Sequence, residues 1–265
     1  MILVFDLDGV IYRGETAVPE AIPTLSHLTA AGHRLFFLTN NSTRSRRDYA
    51  GKLSRMGYPA SPEQVMTSAY ATGLYLRRQG AVGKRVFIIG EHGLAEEMAL
   101  AGLAVVPLES EQRAHYVVVG LDRTLTFAKL QRAFAEVRAG AAFIATNKDP
   151  TYPMEEGREI PGGGSMVAAL EYATGVTPVA IGKPEPYTLE EILRLTASRP
   201  ADAVMVGDRL DTDIRVGRRL GLTTVLPLTG VTSRTDLAAA APDARPDFVI
   251  ESLVELPGIL QRLGP

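Results

Sequence analysis

The amino-acid sequence predicts an α/β fold in which a parallel-sheet core carries a smaller α/β domain as an insert. Short continuous apolar runs alternate with segments of helical periodicity from end to end, the pattern of parallel strands covered by helices on both faces. Two Gly/Pro-rich joints, RRQGAVGKR (77–85) and TGVTPVAIGKPEP (174–186), bracket an internal block with three strand candidates of its own. The core is therefore expected from residues 1–80 and 181–265, and the insert from 81–180, an ordinary domain size.

In chain order, ILVF (2–5) reads as a buried strand, followed by a helical pattern over 19–31 and a second strand, RLFFLT (34–39). Helical patterns follow across STRSRRDYAGKLSRMG (42–57) and SPEQVMTSAYATGLYLRRQG (61–80). The insert holds the strand candidates RVFIIG (85–90), HYVVVG (115–120) and AFIATN (142–147). PGGGSM (161–166) lacks both the G-x-G-x-x-G and the Walker spacing, and reads as a turn opening a helix with an apolar face of Met166, Leu170 and Ala173. The core resumes with DAVMVG (202–207), TTVLPL (223–228) and DFVI (247–250). Strands alternating with helices imply right-handed crossovers.

Composition narrows the function. The chain has 265 residues, 46% of them hydrophobic, which supports a sizeable core. A net charge of −2 argues against a nucleic-acid partner. With no cysteine, disulfides and thiolate metal sites are excluded. The four histidines, His27, His33, His92 and His115, show no zinc-ligand spacing. No charged leader precedes the first strand and no apolar run approaches the roughly 20 residues that span a bilayer, so a cytoplasmic protein off the membrane is expected.

Four strand ends carry polar groups. After ILVF come Asp6 and Asp8, which as residues i and i+2 can address one site, with Gly9 allowing a tight turn or a close approach to a ligand. Two close carboxylates call for a countercharge, such as a hard divalent cation; a solvated Asp-x-Asp turn is the alternative. After RLFFL come Thr39, Asn40 and Asn41, suited to an oxyanion, or to a helix N-cap at Asn41 or Ser42. Lys183 in AIGKPEP follows a strand and can neutralise anionic charge, or simply be solvated. In AVMVGDRLDTDI, Asp208 can complete a metal site and Asp213 can orient Lys183 or Asp208, while Asp211 suits the first turn of a helix. Together these groups fit phosphoryl transfer.

DLDGVIYRG, LTNNST, GKPEP and GDRLDTDI, in this order, resemble the four motifs of the haloacid dehalogenase superfamily of aspartate-nucleophile phosphatases. The insert's GLDRTLTFAKLQRA and FIATNKDPTYPMEEGREIPGGGSMVAALEYATG, with the late LTGVT, resemble the NagD-like and nitrophenyl-phosphatase branch. The resemblance implies a Rossmann-like core with the insert as a cap, and Mg²⁺ as cofactor. It implies Asp6 as nucleophile and Asp8 as general acid/base. Mg²⁺ would be held by an Asp6 oxygen, the Asp8 carbonyl and Asp208. Gly9, Thr39, Asn40, Asn41 and Lys183 would line the phosphoryl site, with Asp213 behind them.

RSRR (44–47) reads as a solvated helix face. Asn147 and Asp149 in NKDPTYP follow a cap strand and are candidates for selecting the leaving group, or form a polar turn. The expected function is hydrolysis of a small phosphorylated metabolite, whether a nucleotide, phosphoglycolate, a sugar phosphate or pyridoxal phosphate. The alternative is a non-catalytic phosphometabolite-binding protein on the same fold. A homodimer through the cap is a further expectation, since related caps often dimerise.

Overall fold

The computed structural model describes residues 1–153 and 158–264. Residues 154–157, within the longest stretch of the branch resemblance, lie outside the described residues. The chain opens with β1 (Ile2–Asp6), a hairpin of β2 (Tyr12–Arg13) and β3 (Thr16–Ala17), α1 (Ala21–Ala30), β4 (Arg34–Thr39), α2 (Arg46–Arg55) and β5 (Val65–Thr67). Then come α3 (Ser68–Arg78), β6 (Arg85–Ile89), α4 (His92–Leu100), β7 (Ala104–Val105), β8 (Tyr116–Val119), α5 (Phe127–Arg138) and β9 (Ala142–Ala145). β10 (Thr151–Pro153), β11 (Glu159–Pro161), α6 (Gly163–Thr174) and β12 (Val179–Ala180) complete the middle of the chain. The last part holds α7 (Tyr187–Thr196), β13 (Ala203–Val206), a π-helical turn (Leu210–Ile214), α8 (Arg215–Leu220), β14 (Thr223–Pro227), α9 (Arg234–Ala239), β15 (Phe248–Ile250) and α10 (Leu256–Leu263). Among the described residues no helix is long and apolar enough to cross a membrane.

Two compact units divide the chain: residues 1–39, 49–66 and 183–265 form one, and 40–48 with 67–182 the other. The expected boundary at 180/181 falls close to this division. On the N-terminal side, however, α3 and the segment 40–48 belong to the second unit rather than to the core. Gly73 explains part of this, since a Cβ there would lie 3.0 Å from Ala101 Cβ and 3.2 Å from the Glu97 carbonyl. The glycine lets α3 pack closely on α4.

The first unit is built on one sheet in the order β15-β14-β13-β1-β4-β5. β1 pairs in parallel with β13 and β4, with Phe5 level with Val206 and Phe37, and Asp6 level with Leu38. All five residues of β1 are buried, with Leu3 and Phe5 in one core with Leu25, Leu28, Leu53, Leu256 and Leu260. Each such side chain contributes about 1.5–3 kcal/mol by burial, which is why the run carries no polar residue before Asp6. From β1 the chain proceeds to β4 and β5 on one side, and later to β13, β14 and β15 on the other. The topological switch point therefore lies between β1 and β13, and ligands of such sheets bind beyond the carboxyl ends there.

Two sequence expectations are corrected in this region. The helix expected over 61–80 is interrupted: Ser61 and Gln64 cap a short turn (Pro62–Gln64), and Val65–Thr67 joins the sheet as edge strand β5. β-branched Val65 and Thr67 are buried and suit a strand, and the Thr67 hydroxyl then caps α3 by accepting from Tyr70 N at 3.0 Å. The helix expected from residue 42 starts at Arg46, with Ser45 and not Asn41 or Ser42 at its cap. Ser45 N donates to Asp48 Oδ2 at 2.9 Å and Asp48 N to Ser45 Oγ at 3.4 Å, a reciprocal cap.

The second unit has a five-stranded sheet, β12-β9-β8-β6-β7, where three strands were expected. The two additional ones, β7 and β12, are edge strands of two residues each, too short to leave an apolar run. Phe87, Ile89, Val117, Val119 and Phe143 form its core with Ala133 and Val137 of α5 and Val167 and Leu170 of α6. The buried stripe of α6 is Gly163, Val167, Leu170 and Thr174, and of the expected Met166–Leu170–Ala173 face Leu170 is buried and Met166 packs partly buried against the same core. Ala173 is exposed. β10 and β11 pair in antiparallel fashion as a separate two-stranded sheet. RSRR is not wholly solvated: the Arg46 guanidinium lies 3.7 Å over the Tyr70 ring and pairs with buried Glu97.

Candidate active site

β1 ends at Asp6, so the extended i, i+2 geometry stops there and Asp8 sits in the turn that follows. Asp6 is buried, while Asp8 is half-buried and bridges to Tyr12. Ile11 and Tyr12 donate their backbone N–H to the Leu7 carbonyl at 2.9 and 3.2 Å, and Gly9 N donates to Tyr12 O at 2.8 Å. Gly9 has φ +83°, the left-handed region, and a Cβ there would lie 2.5 Å from Asp208 Oδ2. The Thr229 hydroxyl donates to Gly9 O at 2.8 Å, and Arg13 donates to Thr229 O. The turn after β1 is thus tied to the loop after β14.

Lys183 is the centre of the site. Its buried ammonium donates to Asp6 Oδ1 and, at 2.6 Å, to Asp213 Oδ1. Asp213 also accepts from Arg209 N at 3.1 Å, and Gly207 leaves room for it, since a Cβ there would lie 2.3 Å from Asp213 Cβ. Asp208 is buried and accepts from Val231 N at 2.7 Å. One carboxylate oxygen from each of Asp6, Asp208 and Asp213 falls within 4.8 Å of the others. Thr39, buried at the end of β4, stands one residue beyond the partner of Asp6.

The electrostatics follow from three buried carboxylates around one ammonium. Burial raises the Asp6 carboxyl, Lys183 draws it back, and Asp213 and Asp208 push it up again, leaving it well above its ordinary value. Burial, reinforced by Asp213, pushes Asp208 up to about 7 against the hydrogen bond from Val231. For Lys183 burial works against the charge, but Asp213 and Asp6 outweigh it and raise its pKa, so it stays an ammonium. With all groups ionised the cluster carries two excess negative charges, and its donors are all oxygen. That set fits a hard divalent cation.

The loop after β14 sets the shape of this cluster. A Cβ at Gly230 would lie 1.9 Å from Asp208 Oδ2 and 2.2 Å from Asp208 Cβ. Gly230→Ala is therefore expected to displace Asp208, costing about 1–3 kcal/mol by overpacking and most of the turnover. Urea denaturation and a rate assay on the same preparation check both.

Asn40, Asn41, Asn147 and Asp149 gather in the second unit. The Asn40 amide donates to both Asp149 oxygens at 3.0 and 3.1 Å. The Asn40 carbonyl accepts from Ser68 Oγ at 2.5 Å and Asn147 Nδ2 at 2.7 Å. Asn41 Oδ1 accepts from Thr43 N, and its amide donates to the Tyr152 hydroxyl at 3.0 Å. Asp211 pairs with Arg209 at 3.0 Å with its side chain exposed, outside the cluster.

Sequence reasoning missed Ser68, Tyr152, Val231, Lys52 and Gly230, which faces Asp208. Lys52 is buried against the Tyr12 ring, 3.5 Å from its centroid, and donates to Gly14 O at 2.6 Å. Three residues on from Tyr49, it lies on the buried face of α2.

A family model described as haloacid dehalogenase-like hydrolase matches residues 3–104, and a HAD-hydrolase-like model matches 180–256. The chain is 39% identical to human (Homo sapiens) glycerol-3-phosphate phosphatase over 98% of its own length and 90% of that protein. It resembles the solved p-nitrophenyl phosphatase of Archaeoglobus fulgidus with a TM-score of 0.90 and 36% identity, covering 97% of this chain and 98% of that one. The glycerol phosphate phosphatase of Mycobacterium tuberculosis, solved with magnesium, matches with a TM-score of 0.88 and 41% identity over 96% of this chain and 75% of that one.

Proposed function

Because the chain belongs to the haloacid dehalogenase-like hydrolases, in the branch of NagD and the nitrophenyl phosphatases, and is a phosphoric monoester phosphatase, we propose that it cleaves a small phosphorylated metabolite through an aspartyl phosphate on Asp6, with Mg²⁺ as cofactor. The observation that carries this reading is the Lys183 ammonium held between Asp6 and Asp213, with Asp208 beside them.

In the first step an Asp6 carboxylate oxygen bonds to phosphorus, the ester P–O bond breaks, and Asp8 gives its proton to the leaving alkoxide. In the second, Asp8 takes a proton from water, the water oxygen bonds to phosphorus, and the acyl phosphate bond breaks to free Asp6 and inorganic phosphate. Half-burial at the strand-end turn leaves Asp8 within reach of solvent protons. Lys183, Thr39 and the backbone amide of Asn40 bind the phosphoryl oxygens, and Asp213 keeps Lys183 charged and aimed. Asp6, Asp208 and the Asp8 carbonyl would hold Mg²⁺, whose charge offsets that of the carboxylates and the phosphoryl group. A relative solved with magnesium and again with calcium supports a divalent ion here. The first unit serves as the catalytic core and the second as the cap. Among substrates, an alkyl phosphate such as glycerol phosphate is favoured by the names of the relatives.

Release of p-nitrophenol from p-nitrophenyl phosphate, with Mg²⁺ and with EDTA, tests this reading. Turnover only with the metal is expected; a folded protein inactive in Mg²⁺ on both this ester and glycerol 3-phosphate would refute it.

The metal should also stabilise the fold in a pH-dependent way. Asp208 is raised from its ordinary value to about 7, so the cation-free protein binds this proton more tightly than the unfolded chain does. Its stability then falls as pH rises towards about 7. Mg²⁺ must displace that proton, so its affinity is expected to drop about tenfold per pH unit below 7. The rise in Tm with Mg²⁺ is accordingly larger at pH 8 than at pH 6, which a thermal melt at each pH measures.

A further inference from the structure

We propose that Asp149 and Asn147 are positioning residues that hold Asn40 in place, and with it the backbone amide that binds the phosphoryl group, and that they do not select the leaving group. The inference rests on the function proposed above for Asn40.

Both Asp149 oxygens accept from the Asn40 amide, at 3.0 and 3.1 Å. A carboxylate bonded to an amide through both oxygens is a charge-assisted clamp on Asn40. Asn147, buried, donates to the Asn40 carbonyl at 2.7 Å, and its own Oδ1 accepts from Asp149 N at 3.0 Å. The two residues thus brace each other and grip Asn40 by its side chain and its main chain. Ser68 adds a second donor to the same carbonyl at 2.5 Å. Gly182 closes the remaining side, since a Cβ there would lie 2.6 Å from Asn40 Oδ1.

The clamp is itself supported from behind. A Cβ at Gly162 would lie 2.4 Å from the Asp149 carbonyl, and one at Gly164 would lie 2.4 Å from the Lys148 carbonyl. Gly164 N donates to Asp149 O, and Gly162 N to Pro150 O, each at 2.9 Å. The glycine run of PGGGSM is therefore explained by packing: it lets the start of α6 press against the backbone of loop 147–151. From α6 through the loop to Asn40, every one of these contacts lies within one unit. A phosphate-binding amide needs this, because a displacement of about 1 Å costs about 10²-fold in rate.

The test combines kinetics with amide exchange. Asp149→Ala is expected to lower kcat by about 10²-fold by the same factor for p-nitrophenyl phosphate and glycerol 3-phosphate. Asp149→Asn, which keeps one acceptor, is expected to retain more activity than Asp149→Ala. In an Asn40→Ala background the further change Asp149→Ala is expected to cost about twofold or less, because the two residues act as one unit. In the metal-free protein, hydrogen exchange of the peptide spanning 40–44 should speed up about tenfold with Asp149→Ala. A loss that depends on the leaving group, additive effects in the double variant, or unchanged exchange at 40–44 would each overturn the inference. If the wild type turned over neither ester, the proposed function would fall, while the exchange comparison would still decide whether Asp149 holds this segment.

Discussion

Asp6→Asn is expected to reduce turnover by about 10⁴-fold or more, the scale seen when a covalent nucleophile is removed, while leaving the protein folded. The geometry gives both halves of this expectation. The amide oxygen of Asn is a poor nucleophile towards phosphorus, and no other carboxylate in the cluster can replace Asp6: Asp213 is held by Lys183 and Arg209 N, and Asp208 by Val231 N. At the same time Asp6 is one of three buried carboxylates sharing a single ammonium, and its pKa is raised chiefly by burial. Its ionised form therefore opposes folding at neutral pH in the cation-free protein. The variant in EDTA is expected to melt at the same temperature as the wild type or higher, and to gain less from Mg²⁺. Rate assays and melts on one preparation separate lost chemistry from lost structure.

Lys183→Met is expected to be the most damaging single change to stability in the site. Lys183 is 3% exposed and bonds to Asp6 and Asp213. Removing one partner of a buried ion pair leaves uncompensated charge and costs about 3–5 kcal/mol. The cost depends on pH with a definite sign. Without the ammonium, nothing draws the Asp6 carboxyl back from the rise caused by burial, so its folded pKa lies further above the unfolded value. A carboxyl raised in this way loses stability as pH increases between those two values. The deficit relative to wild type should be smaller at pH 5 than at pH 8, as urea denaturation at each pH would measure. Activity is expected to fall by about 10³-fold or more, since the phosphoryl group loses its main cationic partner. A variant as stable as wild type at pH 8 would contradict the charge arrangement described here.

The cluster of carboxylates around Lys183 was legible in the sequence because each part is local. Asp6, Gly9, Lys183, Asp208 and Asp213 all stand just past an apolar run, and a parallel sheet brings such strand ends together whatever their separation in the chain. The strand assignments held for the same reason wherever the run was long. What the sequence hid were partners distant in the chain and short elements. Nothing in GVT marks Val231 N as the anchor of Asp208, and nothing in TSAY marks Ser68 as a donor to Asn40. β5, β7 and β12 are too short for periodicity to register, and β5 was absorbed into a helical pattern. Asn147 and Asp149 were recognisable as unusual, but not the partner they grip. The glycines of PGGGSM looked like a turn signal, and their packing role needs the loop they face.

The claim at the centre is that Asp6 carries the phosphoryl group. Wild-type protein mixed with Mg²⁺ and p-nitrophenyl phosphate should be quenched in acid during turnover, digested, and examined by mass spectrometry. The mass of one phosphoryl group is expected on the peptide containing Asp6, absent in EDTA and in Asp6→Asn. Steady turnover with the adduct on another residue, or with Asp6→Asn as active as wild type, would contradict it.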